Sequence, residues 1–183
     1  MRVQGCCVFD TAIGPCALAW TDIGLAAVQL PETTRAGTLR RLLRYLGEDV
    51  PECEPLPFAA AAVARIQALL AGAHDDLADV PLHLDAVPEF HRRVYEVTRA
   101  IPPGEVLTYG EVARRIGEPG AARAVGRALG LNPFAPVIPC HRVLAAGGQS
   151  GGFSAEGGAN TKLRMLEIER ARFGAQPGLF DGE

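Results

Sequence analysis

The sequence predicts an α/β unit followed by a mainly α domain built around a helix-turn-helix. Three observations predict it: alternating apolar runs broken by turns near the start, helical apolar spacing between prolines from residue 89 onward, and a reversal of charge between the two halves. The chain has 183 residues, longer than the usual single domain of roughly 100–150. Apolar residues make up 48% of it, enough to bury a core.

Runs over 7–20 and 23–30 read as strands of a β-meander, with turns expected at Gly14-Pro15 and over 22–24. A helix is expected over 38–46. After the proline-rich stretch 51–57, the alanine-rich segment 58–71 places Val63, Ile66, Leu69 and Leu70 at helical spacing. Residues 81–84 read as a short strand. Pro88 marks a boundary, and 89–101 reads as a helix with Phe90, Val94, Val97 and Ile101 on one face, stopped by Pro102-Pro103-Gly104. These signals divide the chain into 1–85, 86–172 and an acidic tail, 173–183.

Thr108-Tyr109-Gly110-Glu111 fits a capping box, so a helix is expected over 109–116. A turn at 117–120 leads to a second helix over 121–129. Two short helices joined by a glycine-containing turn make a helix-turn-helix; the second turns Ala124, Val125, Ala128 and Leu129 inward and leaves Ala121, Ala122, Arg123 and Arg127 outward or at its entry, and its small side chains allow close approach to a DNA groove. An ordinary helix pair in a globular core is the alternative. The charge distribution hints at nucleic-acid contact, with a solvated, arginine-rich surface as the equal alternative. Residues 1–85 carry 6 Arg against 11 acids, net −5, whereas 86–172 carry 11 Arg and Lys162 against 8 Glu, net +4, within a chain total of −3.

Several classes are excluded on composition. There is no run of about 18 apolar residues and no secretory signal pattern, so a cytoplasmic protein without membrane contact is expected. Five cysteines, at 6, 7, 16, 53 and 140, give an odd count without paired spacing, which suits a reducing compartment. Cys6, Cys7, Cys16, His74 and His83 show no zinc-type spacing, so no metal is expected.

Residues 136–143 read Pro-Val-Ile-Pro-Cys-His-Arg-Val. The Val137-Ile138 run between prolines is expected to form a short strand that stops abruptly at Cys140, with an imidazole and a guanidinium beside the thiol. A cysteine so placed can ionise near neutral pH and act as a nucleophile. A core cysteine followed by an incidental histidine is the other reading.

From Phe90 to Glu169 the chain resembles the O6-alkylguanine-DNA alkyltransferases, which remove alkyl groups from guanine onto themselves. The resemblance rests on four ordered motifs: Gly-Glu-Val-Leu-Thr-Tyr-Gly-Glu-Val-Ala from 104, Ala-Ala-Arg-Ala-Val-Gly from 121, Asn132-Pro133, and Pro-Cys-His-Arg-Val from 139. It implies a ribonuclease-H-like α/β N-terminal domain and a winged-helix-like, mainly α DNA-binding domain. It also implies a single-turnover transfer with no cofactor, by a monomer acting in the minor groove of duplex DNA without sequence specificity.

The resemblance also implies roles. Cys140 is the acceptor, His141 takes the thiol proton through water, and Glu169 orients the histidine. Asn132 ties the turn before the cysteine, and Tyr109 helps protonate the departing guanine. Arg123 replaces the extruded base, with Ala121, Ala122, Ala124 and Val143 at the DNA or base. One loop departs from the family: over 151–158, Phe153 stands where the family has Tyr, with two residues added, which changes the size and polarity of the pocket where Phe153 is expected to meet the base.

Two other functions compete with this reading. A related group of lesion-binding proteins lacks the acceptor cysteine, which this chain keeps. A Cys-His hydrolase would turn over repeatedly on an ester. In the tail, Gln176, Leu179 and Phe180 resemble the short motif by which bacterial repair and replication proteins bind the sliding clamp, with fold-back onto the protein as the alternative.

Overall fold

The computed structural model describes residues 1–149 and 157–173. The first half is a three-stranded antiparallel meander, β1 (Gly5–Thr11), β2 (Gly14–Trp20) and β3 (Leu25–Gln29), in the order β1-β2-β3. The first turn falls at residues 12–13 and not at Gly14-Pro15. Gly14, at φ 124°, pairs with Thr11, whose Oγ1 donates to the Gly14 carbonyl at 2.7 Å, so pairing runs to the strand ends. The expected strand over 81–84 is reduced to a single bridge, Leu25 to Leu82.

Strand alternation sends side chains to two faces. Cys16, Leu18 and Trp20 of β2 join a core shared with α2 (Pro57–Leu70) and with the second half of the chain. The small residues Ala17 and Ala19 lie under Leu42 of α1 (Arg35–Leu46), which covers the other face. Thr34 caps α1 by accepting from the Gly37 N–H, and Gly47, at φ 72°, ends it.

The second half is helical. Helix α3 (Glu89–Arg99) precedes a two-residue strand, β4 (Leu107–Thr108), then α4 (Tyr109–Arg115) and α5 (Ala122–Gly130). Both bonds of the expected capping box are present at Thr108 and Glu111. A 3-10 turn, Cys140–Arg142, leads into β5 (Val143–Leu144), which pairs in parallel with β4, and α6 (Ala159–Ile168) follows. Among the described residues no helix is long and apolar enough to cross a membrane.

Candidate active site

Between α5 and the cysteine, the chain does not form the expected strand. Asn132 holds it as a turn: its Oδ1 accepts from the Phe134 N–H at 2.9 Å and its Nδ2 donates to the Ile138 carbonyl at 2.8 Å. The Ile138 N–H donates back to the Phe134 carbonyl at 3.0 Å, a turn bond in place of a sheet bond, and no strand among the described residues pairs with Val137 or Ile138. The Val28 N–H of β3 donates to the Pro133 carbonyl at 2.8 Å, tying this turn to the N-terminal sheet. Phe134, Val137 and Ile138 are buried beneath it. The result is a rigid platform that delivers Cys140 at the start of the 3-10 turn.

Cys140 is 7% exposed. Burial pushes its thiol up, against the pull of the Asn132 amide, the Lys162 charge and the backbone N–H groups of Cys140 and His141. Burial thus works against the ionised cysteine expected from its neighbours, and those of them that follow it in sequence do not offset it. The reason is geometric. The imidazole and guanidinium that follow it in sequence are turned onto Glu169 and not onto the sulfur.

His141 Nε2 lies 2.8 Å from Glu169 Oε1. Arg142 donates from Nε to Glu169 Oε2 at 2.9 Å, from its NH2 nitrogen to Oε1 at 2.7 Å, and from its NH1 nitrogen to the Ile101 carbonyl at 2.6 Å. The side chains of His141, Arg142 and Glu169 are 0%, 1% and 4% exposed. Burial works to raise the Glu169 carboxyl, but the hydrogen bonds and charges of His141 and Arg142 outweigh it and hold it at about 2. Burial lowers the His141 pKa despite the nearby carboxylate, so the imidazole is neutral, and its buried Nδ1 has no hydrogen-bond partner among the described residues. A neutral imidazole next to a thiol is a proton acceptor.

The sequence reading missed Lys162 as a member of the site. Its Nζ donates to the Val143 carbonyl at 2.6 Å and lies 5.7 Å from the centroid of the Tyr109 ring. Burial depresses it to about 8 while the Cys140 sulfur works to raise it. A signal was available: Lys162, Met165 and Leu166 share the buried face of α6 at i, i+3 and i+4, and a lysine on such a face needs a partner. Arg142 was named only as a neighbour of the cysteine, and its role as clamp on Glu169 had no signature in the sequence.

The remaining expected residues fall as follows. Tyr109 is half-buried at the start of α4, and burial raises its phenol, with the Cys140 sulfur adding to the effect. Arg123 is exposed in the first turn of α5. Ala122 and Ala124 are half-buried on that helix, and Ala121 is its cap residue and not its first helical one. Val143 departs from expectation, since its side chain is wholly in the core and it offers the site a carbonyl. Phe153 lies outside the described residues. No group of side chains among the described residues is arranged to hold a metal ion.

A thiol, a neutral imidazole held by a clamped carboxylate, and a helix-turn-helix in the same half of the chain make this the class of protein that carries a cysteine nucleophile on a helix-turn-helix scaffold. Residues 89–171 match the family described as 6-O-methylguanine DNA methyltransferase, DNA binding domain. The chain is 38% identical over 181 residues to the methylated-DNA–protein-cysteine methyltransferase of Mycobacterium leprae, spanning 96% of this chain and 98% of that protein. It is 45% identical over 122 residues to the Mycobacterium tuberculosis protein of the same name, spanning 67% of this chain and 72% of the other. The crystal structure of Mycobacterium tuberculosis OGT in complex with DNA superposes with a TM-score of 0.71 at 36% identity, covering 93% of this chain and 96% of that one. The chain belongs to the methylated-DNA–protein-cysteine methyltransferase family. Its fold, a small N-terminal sheet with a helical C-terminal domain, is the fold of that family's solved members.

Proposed function

We propose that this protein repairs DNA by direct reversal, transferring the alkyl group of O6-alkylguanine irreversibly to Cys140 in one turnover. The observation that carries this reading is the Cys140–His141–Glu169 arrangement, in which Glu169 is fixed by Arg142 and the imidazole is kept neutral. In the reaction the thiol proton passes to His141 Nδ1 through water. The sulfur forms its bond to the alkyl carbon as the carbon–O6 bond breaks, and the electron pair of that bond goes to guanine. Tyr109, a phenol kept protonated by burial, supplies the proton that lets guanine leave neutral. Asn132 and Val143 shape the floor of the site.

The DNA-facing surface in this reading is α5, in the minor groove. Arg123 fills the place of the extruded nucleotide, and Ala121, Ala122 and Ala124 permit close backbone approach. Contacts fall on phosphate and sugar, so binding is not sequence-specific. The finer architecture we read as a ribonuclease-H-like domain over 1–85 and a winged-helix-like domain over 86–172, acting as a monomer. All five cysteines are free thiols, which suits the cytoplasm. The clamp motif Gln176, Leu179 and Phe180 lies outside the described residues. We propose that it docks the tail on a sliding clamp, a reading that loses its basis if a peptide over 175–183 shows no binding at about 100 μM.

The direct test is mass spectrometry after incubation with O6-methylguanine duplex. A gain of one CH2 on the peptide containing Cys140, with no second turnover, is the expected result. Cys140→Ala abolishes transfer and keeps DNA binding, because binding rests on α5. Loss of both together would make the cysteine structural, and repeated turnover on an ester would favour a hydrolase.

A further inference from the structure

Of the 6 Arg in residues 1–85, four lie in the 12 residues of α1, at 35, 40, 41 and 44, and α1 contains no acid. This basic helix stands in a segment whose net charge is −5. Thr38 and Leu42 are buried against the sheet. At about 100° per residue, Arg40 and Arg44 then fall on the outer side of α1, with Arg41 and Tyr45 on one flank. Arg41 is paired with Glu32, and Arg35 donates to the Val8 carbonyl. Arg40 and Arg44 are exposed and make no ion pair among the described residues.

That flank of α1 faces the end of α5. Arg41 and Tyr45 line a cavity of about 220 Å³ together with Gly130, Leu131, Asn132 and Cys140. On α5, Arg123 and Arg127 are one turn apart, and both are exposed without an ion pair among the described residues. Leu131, 67% exposed, follows one turn later, opposite Tyr45, 54% exposed. A continuous track results: Arg123, Arg127, Leu131, Tyr45, Arg44, Arg40.

We infer that the outer face of α1 continues the DNA-binding surface of α5, with Arg44 and Arg40 on backbone phosphates that flank the lesion and Leu131 and Tyr45 packed on sugar between. This rests on the reading of α5 as the DNA-facing helix. Arg123 to Leu131 spans about 12 Å at 1.5 Å per residue. A duplex presents a charge every ~1.7 Å along its axis, so one lying on α5 carries phosphates well beyond Leu131. Charge complementarity selects a polyanion, and the shared track with Arg123 selects the same duplex.

The test compares wild type with the Arg40→Ala/Arg44→Ala double variant on unmodified duplexes of about 24 and about 8 base pairs, titrated with salt. On the long duplex the slope of log K against log salt should fall by about 1.8, at 0.9 per phosphate, and affinity at 0.1 M salt should fall ten- to hundredfold or so. The short duplex should bind as before, and transfer from free O6-benzylguanine, which needs no DNA, reports that the site is intact. An unchanged slope, or equal losses on both duplexes, overturns the inference. Arg123→Ala is measured alongside. If it leaves duplex repair untouched, the reading of α5 itself fails, whereas a null result at Arg40 and Arg44 with a defect at Arg123 removes only the α1 extension.

Discussion

Replacing Glu169 with Gln tests the site where its energetics are most concentrated. The carboxylate accepts three hydrogen bonds, one involving His141 at 2.8 Å and two from Arg142 at 2.7 and 2.9 Å. Gln keeps one oxygen and turns the other into an NH2, so at least one Arg142 or His141 donor meets another donor. Each lost charge-assisted bond is worth about 1.5–3 kcal/mol. The Arg142 guanidinium is also left buried without a counter-charge, which brings the whole loss to about 3–5 kcal/mol. For a chain of this length that is a fall in Tm of roughly 6–20 °C, at about 2–4 °C per kcal/mol. The imidazole loses the carboxylate that supports its basicity, so transfer from free O6-benzylguanine slows at least about tenfold. Thermal melting at pH 7 and a single-turnover rate measurement provide the two readouts. Glu167→Gln, exposed two residues earlier, serves as the control and should stay within about 0.5 kcal/mol of wild type. A Glu169→Gln protein that melts within a degree or two of wild type and reacts at the same rate would refute both the clamp and its catalytic use.

Three further outcomes are expected. Arg123→Ala should slow repair of duplex far more than reaction with free O6-benzylguanine, because only duplex requires extrusion, and equal losses would remove the finger assignment. Stoichiometric methylation of Cys140 should lower Tm by about 2–12 °C, since added bulk at a 7% exposed site costs about 1–3 kcal/mol, and an unchanged Tm would show a roomier site. Acid should destabilise the fold in two stages. His141, with a folded pKa below its ordinary 6.5, and Glu169, held at about 2 against 4.5, both bind more protons when unfolded. Stability therefore falls as pH drops below 6.5, and the Glu169 contribution, complete above 4.5, is lost on the way to about 2. Denaturant titrations at successive pH values check this, and a flat profile between pH 7 and 3 would contradict it.

The parts of this protein legible in its sequence are those specified locally. Prolines and apolar spacing predict α2 and α3 to within two residues at each end, and the Thr108–Glu111 pair predicts the start of α4 together with both of its capping bonds. The motifs single out Cys140, His141 and Asn132, the resemblance adds Glu169 by its distance from Lys162, and in the structure Glu169 bonds His141 while Asn132 reaches Cys140. What the sequence did not reveal depends on contacts between distant segments. The Val137-Ile138 run looks like a strand because it is apolar and proline-bounded, yet Asn132 closes a turn over it and no strand among the described residues pairs with it. Arg142 reads as a cation for the thiol because it is two residues away, but its guanidinium is spent on Glu169 and the Ile101 carbonyl. Adjacency in sequence says nothing of direction in space.

That redirection explains how the site can hold a reactive group without exposing it. With Arg142 committed to Glu169, the cation that acts on Cys140 is Lys162, buried on α6 and itself weakened to about 8 by desolvation. The thiol is raised, the imidazole neutral and the Tyr109 phenol raised, so each group stands in the protonation state that precedes transfer. In the proposed reaction the thiol proton moves to His141 as sulfur takes the alkyl carbon, and the imidazolium that forms sits 2.8 Å from a carboxylate already charged. The charge appears where its counter-charge is fixed in advance, so little reorganisation is needed at the moment of reaction. A protein that can react only once is protected by the same arrangement, because a buried thiol without a thiolate's charge is a poor target for electrophiles until an alkylated guanine reaches it.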